Sequence, residues 1–199
     1  MAAAPFIGLT GAIAAGKSEA LAALGRLGAA TLSSDAVVHE LLATERVRDL
    51  LVERWGAEVA PGGEVDRARV GAIVFDQPEE LAWLESALHP LVGERIAAWR
   101  ASLPDGVPVA VVEIPLLFET GLESSFDATI AIVAEDATRA ERAGERGTEA
   151  LEGRAARQLS QAEKAARATY VVRNDGAVAD LEAALEALLA EIAAGGEAA

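Results

Sequence analysis

Residues Gly11 to Ser18 read GAIAAGKS, and no other stretch of the chain restricts its fold so strongly. The pattern GxxxxGK[ST] carries meaning only between a strand and a helix, where two glycines let the backbone turn so that successive N–H groups face an anion. That context is present. Phe6 to Thr10 is a short apolar run, and a helical pattern follows from Lys17 to Leu27. Lysine makes a chance match less credible still, because only two of the 17 basic residues are lysine and one of them is Lys17. In such a loop Lys17 neutralises the β and γ phosphates of a nucleotide, and the Ser18 hydroxyl is placed to bind magnesium.

Further along, Ala29 to Leu32 reads as a second strand, and from Ala36 to Leu103 the pattern is helical. Within that block Asp66 is an N-cap candidate for Arg67 to Phe75, Pro78 opens Glu79 to Leu88, and His89-Pro90 reads as a break between two helical stretches. Val107 to Val112 and Ala128 to Val133 read as buried strands, and Tyr170 to Arg173 as a last one. Asp136 to Ala168 is helical and arginine-rich. Asn174-Asp175-Gly176 is a turn before an amphipathic helix, Val178 to Ala194, with a fraying end. Strands alternating with helices predict an α/β fold with a parallel sheet covered on both faces, carrying a helical insertion after the second strand.

Composition narrows the functional classes. A net charge of −15 disfavours nucleic acid and anionic membranes as partners, while a few local cations can still hold a small phosphorylated ligand. The absence of cysteine removes disulfides, thiolate catalysis and cysteine-bound zinc, which leaves oxygen donors for any metal. With no apolar run long enough for a membrane span and no cationic start, a cytoplasmic protein is expected, acting as a monomer or weak homo-oligomer.

Beyond the loop, the segments SSDAVVHELL (33 to 42), VDRARVGAIVF (65 to 75), LHP (88 to 90), EIPLLFETGLESSFD (113 to 127), RAGER (142 to 146), RAARQ (154 to 158) and RNDG (173 to 176) occur in order. Together with the loop they resemble the dephospho-CoA kinase family. The resemblance implies a P-loop NTPase three-layer fold: a nucleotide-binding core from residues 1–35, 105–140 and 168–199, a helical coenzyme-substrate domain at 36–104, and a small helical lid at 141–167. It implies transfer of phosphate from ATP, with Mg2+, to the ribose 3′-hydroxyl of dephospho-CoA.

Carried over residue by residue, the resemblance makes Asp35, Lys17 and Arg142 catalytic. Gly11, Ala12, Ile13, Ala14, Ala15, Gly16, Lys17 and Ser18 hold ATP together with Arg146, Asn174 and Gly176. Asp35, His89, Pro115, Leu116 and Leu117 face the acceptor, and Ser18 and Asp35 hold the metal. Read from the residues alone, Asp35 is a general base or a cap for a helix starting at Ala36. Arg142 and Arg146, at i and i+4, serve a transferring phosphoryl group or form a solvated face with Glu141 and Glu145. Arg154 belongs with Gln158 in the family's R-x-x-x-Q segment. His89 is a capped histidine at a helix break or lines the substrate site, and Pro115 to Leu117 line a pocket or pack. Asn174 and Gly176 lie near adenine or form a plain turn leading into a helix. The departures from the family pattern are the alanines at positions 12, 14 and 15, Ser33 in place of an acid, His39 in place of an arginine, a short stretch before Gln158, and Thr169-Tyr170 in place of Ala-Asp. A nucleoside monophosphate kinase is the nearest alternative. A GTPase lacks support, because no N-K-x-D segment is present.

Overall fold

The computed structural model describes residues 4–144 and 158–196. Five strands among them, β1 (Phe6–Gly11), β2 (Ala30–Ser33), β3 (Ala110–Glu113), β4 (Ala128–Val133) and β5 (Tyr170–Arg173), form one sheet in the order β2-β3-β1-β4-β5. Every pairing is parallel. All six residues of β1 and all four of β3 are buried, which is why these strands read as unbroken apolar runs rather than alternating ones.

The two faces of β1 are covered differently. Ile7 and Leu9 point into a core built with Ala20, Ala23 and Leu24 of helix α1 (Lys17–Arg26) and with Leu181, Leu185, Leu188 and Ile192 of the C-terminal helix (Val178–Gly196). Burying each of these large aliphatic side chains contributes about 1.5–3 kcal/mol. On the other face, a Cβ added at Gly8 would sit 3.0 Å from Leu117 and 3.1 Å from Phe126, so a larger residue there would have to displace those two side chains by a few tenths of an ångström. Phe126 also stacks on Phe6 with ring centroids 4.6 Å apart.

The chain divides into two compact units, Met1–Ser33 with Leu103–Ala199, and Ser34–Ser102. The second is helical: α2 (Ser34–Leu42), α3 (Glu45–Trp55), α4 (Arg67–Asp76) and α5 (Pro78–Ala101). Asp66 caps α4, accepting from the amides of Ala68 and Arg69. Pro78 opens α5 as expected, yet the break expected at His89-Pro90 does not occur, since α5 runs through Pro90 for 24 residues. A proline inside a helix costs about 3 kcal/mol. Leu88 and Leu91 are buried on either side of it, so their packing holds the helix together across the missing hydrogen bond.

Among the described residues, two further helices of the first unit precede the C-terminal one, α8: α6 (Asp136–Gly144) and α7 (Gln161–Arg167). The arginine-rich sequence at 136–168 is thus not one continuous helix among the described residues. Ser160 and Glu163 form a reciprocal capping box that starts α7 afresh. Strand β3 is also shorter than Val107 to Val112 suggests, because Pro108 has no N–H to give to a ladder. No helix of the described residues is long and apolar enough to cross a membrane.

Candidate active site

Strand β1 ends at Gly11, and the chain then wraps through residues 12–16 into α1. Gly16 is the N-cap of α1 and sits in the left-handed region at φ 95°. A Cβ there would lie 2.0 Å from Nδ2 of Asn174, so conformation and space both demand glycine. That Asn174 amide, 6% exposed, donates to the Ala15 carbonyl at 2.9 Å and braces the loop from behind. The loop closes on itself through a bond from the Ala15 amide to the Ala12 carbonyl at 3.2 Å. Ala14 holds φ 60°, a left-handed conformation that costs a residue with a Cβ about 1–2 kcal/mol.

Lys17 folds back over this turn, its Nζ donating to the carbonyls of Gly11 at 3.0 Å and Ala12 at 3.1 Å. Its ammonium is therefore held against the backbone at the start of the loop. Ser18, next along α1, is exposed. Two arginines of α6 reach this region: Arg139 donates through Nε to the Ile13 carbonyl of the loop at 3.0 Å, and Arg142 through Nη1 to the carbonyl of the bracing Asn174 at 3.0 Å. A cleft of about 350 Å³ opens between Ala12 and Ile13 of the loop, Arg139, and the segment from Gln158 to Ala162.

Asp35 is the second residue of α2, exposed and inside the first turn. The helix starts at Ser34 rather than Ala36, so Asp35 lies within its first turn rather than before it. His89 is exposed in the interior of α5, not at a helix end. Among the acceptor candidates, Pro115 and Leu116 are half-buried, whereas Leu117 is fully buried against Gly8. Gly176 lies in the turn before α8, where Asp180 accepts from the Ala177 amide at 3.0 Å. Arg146 and Arg154 lie outside the described residues.

The sequence matches the model of the family described as Dephospho-CoA kinase over residues 5–180. The chain belongs to the dephospho-CoA kinase family. It is 40% identical to the dephospho-CoA kinase of a Synechococcus, over 92% of this chain and 94% of that one. The dephospho-CoA kinase of Deinococcus radiodurans is likewise 40% identical, over 94% and 91%. A crystal structure from Thermus thermophilus superposes with a TM-score of 0.81 at 36% identity, covering 96% of this chain and 98% of that one. A dephospho-CoA kinase from Campylobacter jejuni gives 0.71 at 25% identity, with the same coverage of both chains. A shikimate kinase from Bacteroides thetaiotaomicron, at 0.50 and 15% identity over 94% and 98%, shares the fold alone.

Within this kinase, the fold engages several further polar residues that the motifs leave unassigned. Arg139 looks like one more charge on a polar helix until Ile13 is seen beneath it. Glu113, at the end of β3, is buried and accepts from the Ser33 hydroxyl at 2.9 Å. The strand register pairs those two residues, so the serine that replaces the family's usual acid has a carboxylate as its neighbour. Lys164 has no exposed surface at all and pairs with Glu119. Its one sequence signal was the rarity of lysine in this chain.

Proposed function

We propose that the chain makes coenzyme A from dephospho-CoA by the following division of labour. The backbone amides from Gly11 to Ser18 and the N-terminus of α1 hold the phosphates of ATP. Lys17 leaves its two carbonyls and pairs with the β and γ phosphates, while Arg142, with Arg146, neutralises charge on the phosphoryl group in flight. Asp35 accepts the proton of the ribose 3′-hydroxyl as its oxygen bonds to the γ phosphorus and the bond to the β-phosphate oxygen breaks, releasing ADP. Asn174 keeps the loop in shape, and Gly176 completes the turn beside it. Pro115 and Leu116 face the acceptor, His89 serves it from α5, and the lid is drawn from residues 141–167.

Magnesium fits the donors available. Ser18 offers an exposed hydroxyl directly after the phosphate-binding lysine and Asp35 an exposed carboxylate, and magnesium needs only one or two such oxygens besides phosphate and water. When bound, it would screen the phosphate charge during transfer. Such a reaction belongs in the cytoplasm, where ATP and the coenzyme precursor are found.

The observation that carries this reading is the loop: a left-handed Gly16 with the Asn174 amide filling the space of its missing side chain, and Lys17 folded back onto the carbonyls of Gly11 and Ala12. A coupled assay of ADP release tests it. ADP should form with ATP, magnesium and dephospho-CoA together, and EDTA should abolish its formation. Brisk phosphorylation of a nucleoside monophosphate with none of dephospho-CoA would overturn the substrate assignment.

A further inference from the structure

The segment PLLFE ends in a carboxylate, Glu119, to which the reaction above gives no part, and the second lysine of the chain is also unused. The two meet inside the first unit. Lys164 is 0% exposed, and its Nζ lies 2.8 Å from Oε1 and 3.2 Å from Oε2 of Glu119, 2.7 Å from the Pro115 carbonyl and 3.4 Å from the Thr10 hydroxyl. An ammonium has three protons to donate, and here they are spent on three partners from two separate pieces of chain. Thr10 immediately precedes the phosphate loop. Pro115 begins the turn assigned to the acceptor. Glu119 closes that turn and also accepts, through Oε1, the Leu159 amide at 2.8 Å, on the arm leading into α7. Thr10 adds a direct bond to the Pro115 carbonyl at 3.3 Å.

A buried ion pair is a poor means of gaining stability, since apolar side chains of similar volume do as well or better. Nor does α7 need it as an anchor. Gln161 grips Ala134 through both its amide and its carbonyl at 2.8 Å, the capping box fixes the start of the helix, and Arg167 pairs with Glu123 while its guanidinium lies 5.0 Å from the Phe118 ring centroid. What the pair adds is direction: fixed distances between the strand that launches the donor loop and the turn that faces the acceptor. We propose that Lys164 and Glu119 are positioning residues for phosphoryl transfer, holding the Pro115–Glu119 turn in register with the phosphate loop. This rests on assigning Pro115 and Leu116 to the acceptor side.

The test is the double variant Lys164→Met/Glu119→Gln, which removes both charges together and keeps an acceptor for the Leu159 amide. It should fold and melt close to the parent and bind ATP within about twofold of the parent. Its kcat/KM for dephospho-CoA should fall about 10- to 100-fold, the scale of an ångström of misplacement, with KM for ATP unchanged. Hydrogen exchange without substrates should speed up at the amides of Leu116 to Thr120. Parental acceptor kinetics or parental exchange at those amides would overturn the proposal. So would a variant that fails to fold, which would make the pair structural, or one that loses ATP affinity in equal measure. A parent that leaves dephospho-CoA untouched would count against the assigned reaction, and the exchange readout would still decide the pair.

Discussion

Replacing Gly16 by alanine should have two separable effects, and Asn174 allows each to be measured. The first is conformational: φ 95° is left-handed, and an alanine there loses about 1–2 kcal/mol. The second is steric. The new Cβ would stand 2.0 Å from Asn174 Nδ2, so the amide must move and give up its 2.9 Å bond to the Ala15 carbonyl. Losing a buried hydrogen bond and leaving its partners unmatched costs about 1–3 kcal/mol. Gly16→Ala should therefore destabilise the protein by about 2–5 kcal/mol. Asn174→Ala alone should cost about 1–3 kcal/mol, from the same bond. The double variant should cost no more than Gly16→Ala alone, because the bond can be lost only once and the truncated side chain leaves room for the new Cβ. Urea denaturation with linear extrapolation reads all three, and the coupling should be about 1–3 kcal/mol. Additivity within about 0.5 kcal/mol would refute the claim that Asn174 is what excludes a side chain at position 16.

Lys17→Ala should reduce turnover severely while leaving the melting transition nearly in place, since a half-buried loop lysine adds little to the core; near-normal turnover would remove it from phosphate binding. Asp35→Asn should lower turnover by about 10² to 10⁴ with a smaller change in ATP affinity and the fold preserved, and parent-like turnover at saturating substrates would take Asp35 off the catalytic list. Glu80 accepts from Arg54 at 2.8 and 2.9 Å and from the Trp55 indole at 2.8 Å, bonds that hold its carboxyl below the usual range, Arg54 contributing most. A depressed folded value means that its stabilising effect is complete above the unfolded value near 4.5 and is lost as pH falls through the lower folded one. Glu80→Gln should accordingly lose stability relative to the parent at pH 7 and converge with it in acid; parallel melting curves from pH 7 to 3 would refute this.

The central features were legible in the sequence where one local rule dominates. Strands β4 and β5 match their apolar runs end to end, and the phosphate loop could be located from glycine spacing and its flanking elements. The Asp66 cap and the Pro78 start of α5 follow the same local logic. What escaped depends on distant packing. Pro90 carries a strong local signal for a break, which Leu88 and Leu91 override. Leu117, a pocket candidate by motif, faces inward because Gly8 makes room for it. Lys164 sits in a helical, arginine-rich stretch, and only the fold brings Glu119, Thr10 and Pro115 around it.

The position of Lys17 bears on how nucleotide affinity should be interpreted. Because its ammonium already holds the carbonyls of Gly11 and Ala12, arrival of a phosphate is an exchange of partners rather than the filling of an empty charge. The affinity gained is a difference between two satisfied arrangements, which lowers the reward for small inorganic anions that engage the loop alone. On the proposed reading, a ligand long enough to meet Arg142 as well would gain more, and discrimination in favour of a triphosphate would begin before any contact with the base. It also follows that removing the lysine leaves two loop carbonyls seeking other donors, and water, which can reach the half-buried loop, would take its place.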